Sequence, residues 1–145
     1  MNRTLLLALI SVLAMAGVAD SWYLFQSAVQ GTALACDIGA GLDGCNTVAQ
    51  SAYSRLFDIP LGLYGVGFFG LMLAASIGLL SFPSRILYAV LLIASIVGAL
   101  ASVVFLFIQA FLIQAFCIYC ALSAAIAFVL LWLAWVLWRR FALPR

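Results

Sequence analysis

The sequence predicts an all-α integral membrane protein: a bundle of four transmembrane helices with a short amphipathic surface helix in its first outer loop. Three observations carry this expectation. The chain of 145 residues is 69% hydrophobic and only 7% charged, whereas charged residues normally make up about a quarter of a soluble domain. Lipid is the solvent that suits such a surface. The apolar residues fall into runs that accommodate four crossings. The charges, six Arg and four Asp with no Lys, Glu or His, are segregated along the chain. A net charge of +2 gives no argument for nucleic acid as a partner.

The first apolar run extends from Thr4 to Phe25, long enough for a hydrocarbon core of about 30 Å. Trp22 and Tyr23 mark its outer end as an aromatic belt would. A cleaved signal peptide is the rival reading, with Arg3 as its basic region and Ala16-Gly-Val-Ala19 before the cut. Either way the following loop lies on the same side. Residues 26–59 form that loop, with an Ala/Gly/Asp-rich, flexible part from Ala33 to Gly44. From Asn46 to Phe57 the spacing predicts the surface helix, with Val48, Ala52, Tyr53 and Leu56 on its apolar face.

Pro60 suits the first turn of the second span, 60–82, whose outer half carries Gly62, Gly65, Gly67 and Gly70. Those glycines suit either close helix packing or contact with a flat ligand. Pro83-Ser84-Arg85 makes a tight turn. No charge occurs from Ile86 to Trp138, a stretch that holds two spans, 86–111 and 116–138, joined by a short turn. Trp132, Trp135 and Trp138, followed by Arg139 and Arg140, mark the opposite interface. The whole of 1–145 reads as a single membrane domain.

Arg3, Arg85, Arg139, Arg140 and Arg145 all lie at the termini or in the mid-chain turn. The positive-inside rule therefore puts both termini in the cytoplasm and the loop outside. In a bacterial or archaeal cell membrane the outside is an oxidising compartment, where paired cysteines work as disulfides.

All four cysteines fall on that side. Cys117-Ile-Tyr-Cys120 opens the fourth span, where the exposed N–H groups and helix dipole favour a thiolate. The two-residue spacing lets the pair close within one turn. Zinc is the usual competitor for such a pair, but without histidine it would commit every cysteine, so no metal site is expected. Cys36 and Cys45 are the second pair, on the flexible loop; alone they suit a structural disulfide. Two pairs on one side, one mobile in water and one at the mouth of the bundle, suit thiol–disulfide exchange. Below Cys120, Ala121, Ala124 and Ala127 share its side of the helix, with Ser123 near. Together with the Gly62 and Gly65 stripe they leave room for a planar lipid-soluble ring. Tyr64, Ser123, Gln109 and Gln114 are the polar groups near enough to bond its carbonyl, though each taken singly is better suited to ordinary interface or packing duty.

At these residues the sequence resembles the vitamin K epoxide reductase family, most closely its bacterial and archaeal members. The resemblance rests on Cys36, Cys45 with Ser51 six residues on, Asp58-Ile-Pro-Leu-Gly-Leu-Tyr-Gly65, and Cys117-Ile-Tyr-Cys120, and it covers nearly the whole chain. It implies a four-helix bundle around a quinone, ubiquinone or menaquinone, capped by the outer loop. It further implies that Cys120 reacts with the quinone, that Cys117 exchanges with a loop cysteine, and that Cys36 and Cys45 exchange with a thioredoxin-fold protein. Ser51 would sit near the active cysteines, with Gly62, Tyr64, Gly65, Ser123 and Ala124 around the ring. The disulfide-bond protein B family performs similar chemistry, but it carries its CxxC pair before its spaced pair, the reverse of the order here.

Two departures bear on the substrate. Animal members have a tyrosine where this chain has Ala124, and an asparagine at about Leu61; those side chains hold the vitamin K head group. Their absence points from epoxide reduction toward quinone reduction. Many bacterial members carry a fused thioredoxin-like domain, so a chain stopping at Arg145 is expected to use a separate partner. The competing classes are a tetraspan with purely structural disulfides and a transporter, the latter resting on Asp20 as the single ionisable residue near a span.

Overall fold

Helix α1, Arg3–Gln30, does not stop at Phe25 but continues to a left-handed Gly31 (φ 65°, ψ 22°), whose N–H bonds to the Ser27 carbonyl. The reason is local: no Gly or Pro interrupts Leu24 to Gln30, and the first residue free to adopt φ > 0 ends the helix. Its 28 residues span about 42 Å at 1.5 Å per residue, longer than a hydrocarbon core of about 30 Å. The last turns of α1 therefore stand proud of the bundle and form one wall of a cap. The computed structural model describes residues 2–36 and 44–142; most of the Ala/Gly/Asp-rich stretch expected to be flexible lies outside the described residues.

The short surface helix expected over Asn46–Phe57 is shorter still and is followed by two other pieces. Helix α2 covers only Cys45–Gln50. Ser51 then turns extended (φ −70°, ψ 155°), and its hydroxyl donates to the Val48 carbonyl at 2.7 Å. Serine competes in this way for backbone groups that a longer helix would use. A 3-10 turn, Ala52–Ser54, leads into a minimal antiparallel hairpin of β1, Arg55–Leu56, and β2, Ile59–Pro60. Its two turn residues, Phe57 and Asp58, both have positive φ (53° and 64°), as a two-residue hairpin turn that matches strand twist requires. Of the expected apolar face only Val48 is buried; Ala52, Tyr53 and Leu56 are exposed.

Pro60 caps α3, Leu61–Ser81, and Ser84 caps α4, Arg85–Phe107, its side chain accepting from the Ile86 N–H at 3.3 Å. The expected tight turn between them is present. Beyond Phe107 the chain widens into a π-helical turn, Ile108–Ile113, closed by Gln114 at φ 56°. Cys117 then caps α5, Ile118–Leu137, which ends in a second wide turn, Trp138–Ala142. Among the described residues, four helices are thus long and apolar enough to cross a membrane: Arg3–Gln30, Leu61–Ser81, Arg85–Ile113 and Ile118–Ala142.

The four pack as a ring in which α3 and α5 each touch both α1 and α4. Phe68 and Phe69, with ring centroids 4.8 Å apart, sit on neighbouring helices' glycines: Phe69 covers Gly17 of α1 and Phe68 covers Gly98 of α4. Leu6, Leu7, Ile10, Met72, Leu91 and Leu130 fill the core below. Ile93, Val97, Leu100 and Val104 form an exposed stripe on α4, the lipid-facing side of a membrane helix. Arg3 closes the end opposite the cap by donating to the Leu79 carbonyl.

Candidate active site

The cap end has its own buried cluster, and four of its members are cysteines or their immediate support. Cys36, Cys45 and Cys117 are buried there with Leu34 and Val48, and Cys120 packs against them. The positions follow from the turns just described. The wide turn at Ile108–Ile113 and left-handed Gln114 aim the chain back across the bundle. Cys117 arrives with extended backbone (φ −106°, ψ 122°) as the N-cap of α5. Its N–H donates to Gln109 Oε1 at 3.0 Å, and its Sγ accepts the Cys120 N–H at 3.5 Å. Cys117 and Cys120 are free thiols.

The Cys117 thiol is lowered to about 7. The largest cause is hydrogen bonding from the Cys120 side chain; the Cys120 and Tyr119 N–H groups add to it, and burial opposes them. The lowering expected at a helix start is present, with the partner cysteine contributing more than the backbone. Ionised sulfur is the reactive form, so this cysteine is the more readily ionised exchange partner at neutral pH.

Cys36 and Cys45 are joined as a disulfide, with Cα atoms 6.0 Å apart. They are not out in water, as the sequence suggested: Cys36 is 8% exposed and Cys45 0%. Three side chains, Asn46, Tyr119 and Tyr23, hold the loop down around them. The Asn46 amide pairs with both the N–H and the carbonyl of Leu34, at 2.8 and 3.3 Å, tying together the two limbs of the loop. Tyr119 donates its hydroxyl to the Ala35 carbonyl, and the Ala35 N–H donates to the Tyr23 hydroxyl. The Gly44 N–H donates to the Phe116 carbonyl at 3.0 Å, pinning α2 to the turn before Cys117. Asn46 beside Cys45 and Tyr119 inside the CxxC pair were the available signals; neither indicates from sequence what it binds.

A cavity of about 290 Å³ lies under the cap, between α1, the start of α3 and the start of α5. Cys45, Cys117 and Cys120 all line it, with Leu24, Leu61 and Phe105 as apolar walls. Its size is at the lower end for small-molecule pockets, and apolar walls with a few polar groups are typical of them.

Of the expected ring contacts, Gly62 lines this cavity, and Ser51, Tyr64, Gly65, Ser123 and Ala124 do not. Gly62 and Gly65 chiefly admit α1: a Cβ at Gly62 would lie 2.6 Å from the Phe25 nitrogen, and one at Gly65 would strike Ser21. Tyr64 donates to the Leu56 carbonyl at 3.0 Å and so braces the hairpin. Ala124 is buried in the bundle. Ser123 donates to the Asp20 carboxylate, which places Asp20 in a part-buried side-chain pair.

The family profile described as the vitamin K epoxide reductase family matches residues 8–135. The chain belongs to the vitamin K epoxide reductase family. Membership and geometry agree: the match takes in the second and third spans, most of the first and fourth, and both cysteine pairs. No curated protein matches the chain. As a member of this family the chain is a multi-pass membrane oxidoreductase of thiol–disulfide redox chemistry.

Proposed function

We propose that the protein is a thiol:quinone oxidoreductase. It takes electrons from a separate extracytoplasmic thioredoxin-fold dithiol and delivers them to a membrane quinone, ubiquinone or menaquinone, supporting disulfide formation in exported proteins. One observation carries this reading: Cys45 of one pair and Cys117 and Cys120 of the other line the same cavity. The arginine distribution supports a cap on the extracytoplasmic side, with both termini in the cytoplasm. Ala124 in place of a tyrosine favours quinone over epoxide.

With the loop pair reduced and the CxxC pair oxidised, a Cys45 thiolate attacks Cys117 Sγ. The Cys117–Cys120 bond breaks, and its electron pair leaves on Cys120. Cys36 then attacks Cys45 and releases Cys117, so the loop is a disulfide again and the CxxC pair is reduced. A joined loop pair beside free CxxC thiols supports this end state. The apolar walls at Leu24, Leu61 and Phe105 suit a ring held beside Cys120. A bound quinone supplies the acceptor for the two electrons and two protons of the dithiol.

The test mixes purified protein with a reduced thioredoxin-fold protein and a ubiquinone or menaquinone analogue. Loss of quinone absorbance, abolished in Cys120→Ala, is expected. Unchanged absorbance with all four cysteines intact would overturn the reading.

A further inference from the structure

Gln109 is fully buried and has one polar atom that nothing satisfies. Its main-chain carbonyl accepts the N–H groups of Gln114 and Ala115, which fixes its backbone in the wide turn. Its Oε1 accepts the Cys117 N–H at 3.0 Å. The orientation of the amide follows, because an N–H can face only the oxygen. The Nε2 is thereby turned away from the Cys117 N–H, buried, without a hydrogen-bond partner, on a side chain that acts on the Cys120 thiol. An unmet donor in such a place is a cost that leucine or methionine would avoid.

We propose that Gln109 is a positioning residue of this site, holding Cys117 by its oxygen and offering its Nε2 hydrogens to the Cys120 sulfur when that sulfur becomes a thiolate. The step it serves is the opening of the Cys117–Cys120 disulfide, so the assignment deepens the exchange scheme above and rests on it. A bond forms between the attacking sulfur and Cys117, the Cys117–Cys120 bond breaks, and the electron pair goes to Cys120 as negative charge. A neutral thiol accepts an N–H weakly, whereas a thiolate accepts it as a charge-assisted bond. The donor is thus idle in the dithiol and engaged in the intermediate. The ionisable groups that face Cys120 are Cys117 at the start of its own helix and Asp20 from α1. Neither can donate to a thiolate when itself ionised. Gln109 is the neutral donor among the described groups acting on that sulfur.

The test reads Cys120 alone. In Cys117→Ala, with the Cys36–Cys45 disulfide intact, Cys120 is the single free thiol. Its alkylation rate is measured against pH with iodoacetamide, with no quinone or partner present. Gln109→Met should move the half-plateau pH upward by about one unit, roughly tenfold slower alkylation at lower pH. Gln109→Glu keeps an oxygen for the Cys117 N–H but loses the amide donor, and should shift at least as far. A half-plateau pH unchanged in Gln109→Met overturns the proposal. So does a parent-like profile in Gln109→Glu, which would reduce the role to holding Cys117. If Gln109→Met does not fold, the Glu variant decides. Failure of quinone reduction would leave this result standing, and the reverse holds too.

Discussion

Tyr119, which lies inside the CxxC pair, donates its hydroxyl at 2.6 Å to the carbonyl of Ala35, the residue before Cys36. The element that carries one redox pair therefore grips the segment that carries the other. Tyr23 completes the grip from α1, its ring centroid 5.2 Å from that of Tyr119. Tyr119→Phe keeps the ring and removes one hydrogen bond, worth about 0.5–1.5 kcal/mol. Reduction of Cys36–Cys45 by dithiothreitol should then accelerate roughly two- to tenfold. An unchanged rate would mean that Tyr119 does not hold the loop.

Cys117 should show a pH profile of its own. Its thiol is lowered to about 7, so it is thiolate above that pH and protonated below it. Alkylation of Cys117 in Cys120→Asp is uninformative because it adds a charge; Cys120→Ala is the useful comparison. With Cys120 intact the rate should rise through pH 7 and level off above it. In Cys120→Ala the largest cause of the lowering is gone, and the rise should move toward the ordinary thiol range near 8.5. A rise that stays near 7 would assign the effect to the helix start instead.

Gly44 has an ordinary φ of −79°, so alanine there adds a methyl group without backbone strain. That methyl would lie 2.8 Å from the Ala115 Cβ. Gly44→Ala should push α2 away from the turn before Cys117 and weaken the Gly44–Phe116 bond. In a Cys120→Ala background, the yield of loop–Cys117 mixed disulfide, read on a non-reducing gel, should fall. A yield equal to that of Cys120→Ala alone would show that this contact does not align the pairs.

Gly17→Val drives a side chain into the Phe69 ring. Overpacking of this kind costs about 1–3 kcal/mol. Gly70→Ala meets nothing within 4 Å and should be nearly silent. Thermal unfolding in detergent, comparing the two, checks the packing of α3 against α1. Equal melting temperatures would contradict it.

Much of the fold was legible in the sequence, because burial in lipid writes itself as unbroken apolar runs. The four spans, the turn at Pro83–Arg85 and the helix capped by Cys117 are where hydropathy and capping put them. The end of α1 was not, since Trp22 and Tyr23 satisfy a belt whether or not the helix continues. The break at Ser51 depends on a side chain bonding its own backbone, which apolar periodicity does not register. Within the site, the cysteine pairs were legible by spacing. Their alignment was not, since the pairings of Ser123 with Asp20 and Tyr119 with Ala35 join residues distant in sequence. Gln109 was visible as a polar residue near the turn, but its alignment with Cys117 depends on a wide helical turn that no residue type announces.

The burial of Cys45 beneath the closed cap acts as insulation. In the proposed function, a disulfide feeding a membrane electron carrier would be open to leakage: any small thiol that reached it would discharge it without useful work. At 0% exposure for Cys45 and 8% for Cys36, little of either residue is open to a small thiol from solvent. In the proposed exchange, the thioredoxin-fold partner would have to bind the cap and lift Ala35 from its two tyrosines to reach the sulfur. Such a closure would make the circuit selective at the point of entry, before any chemistry occurs.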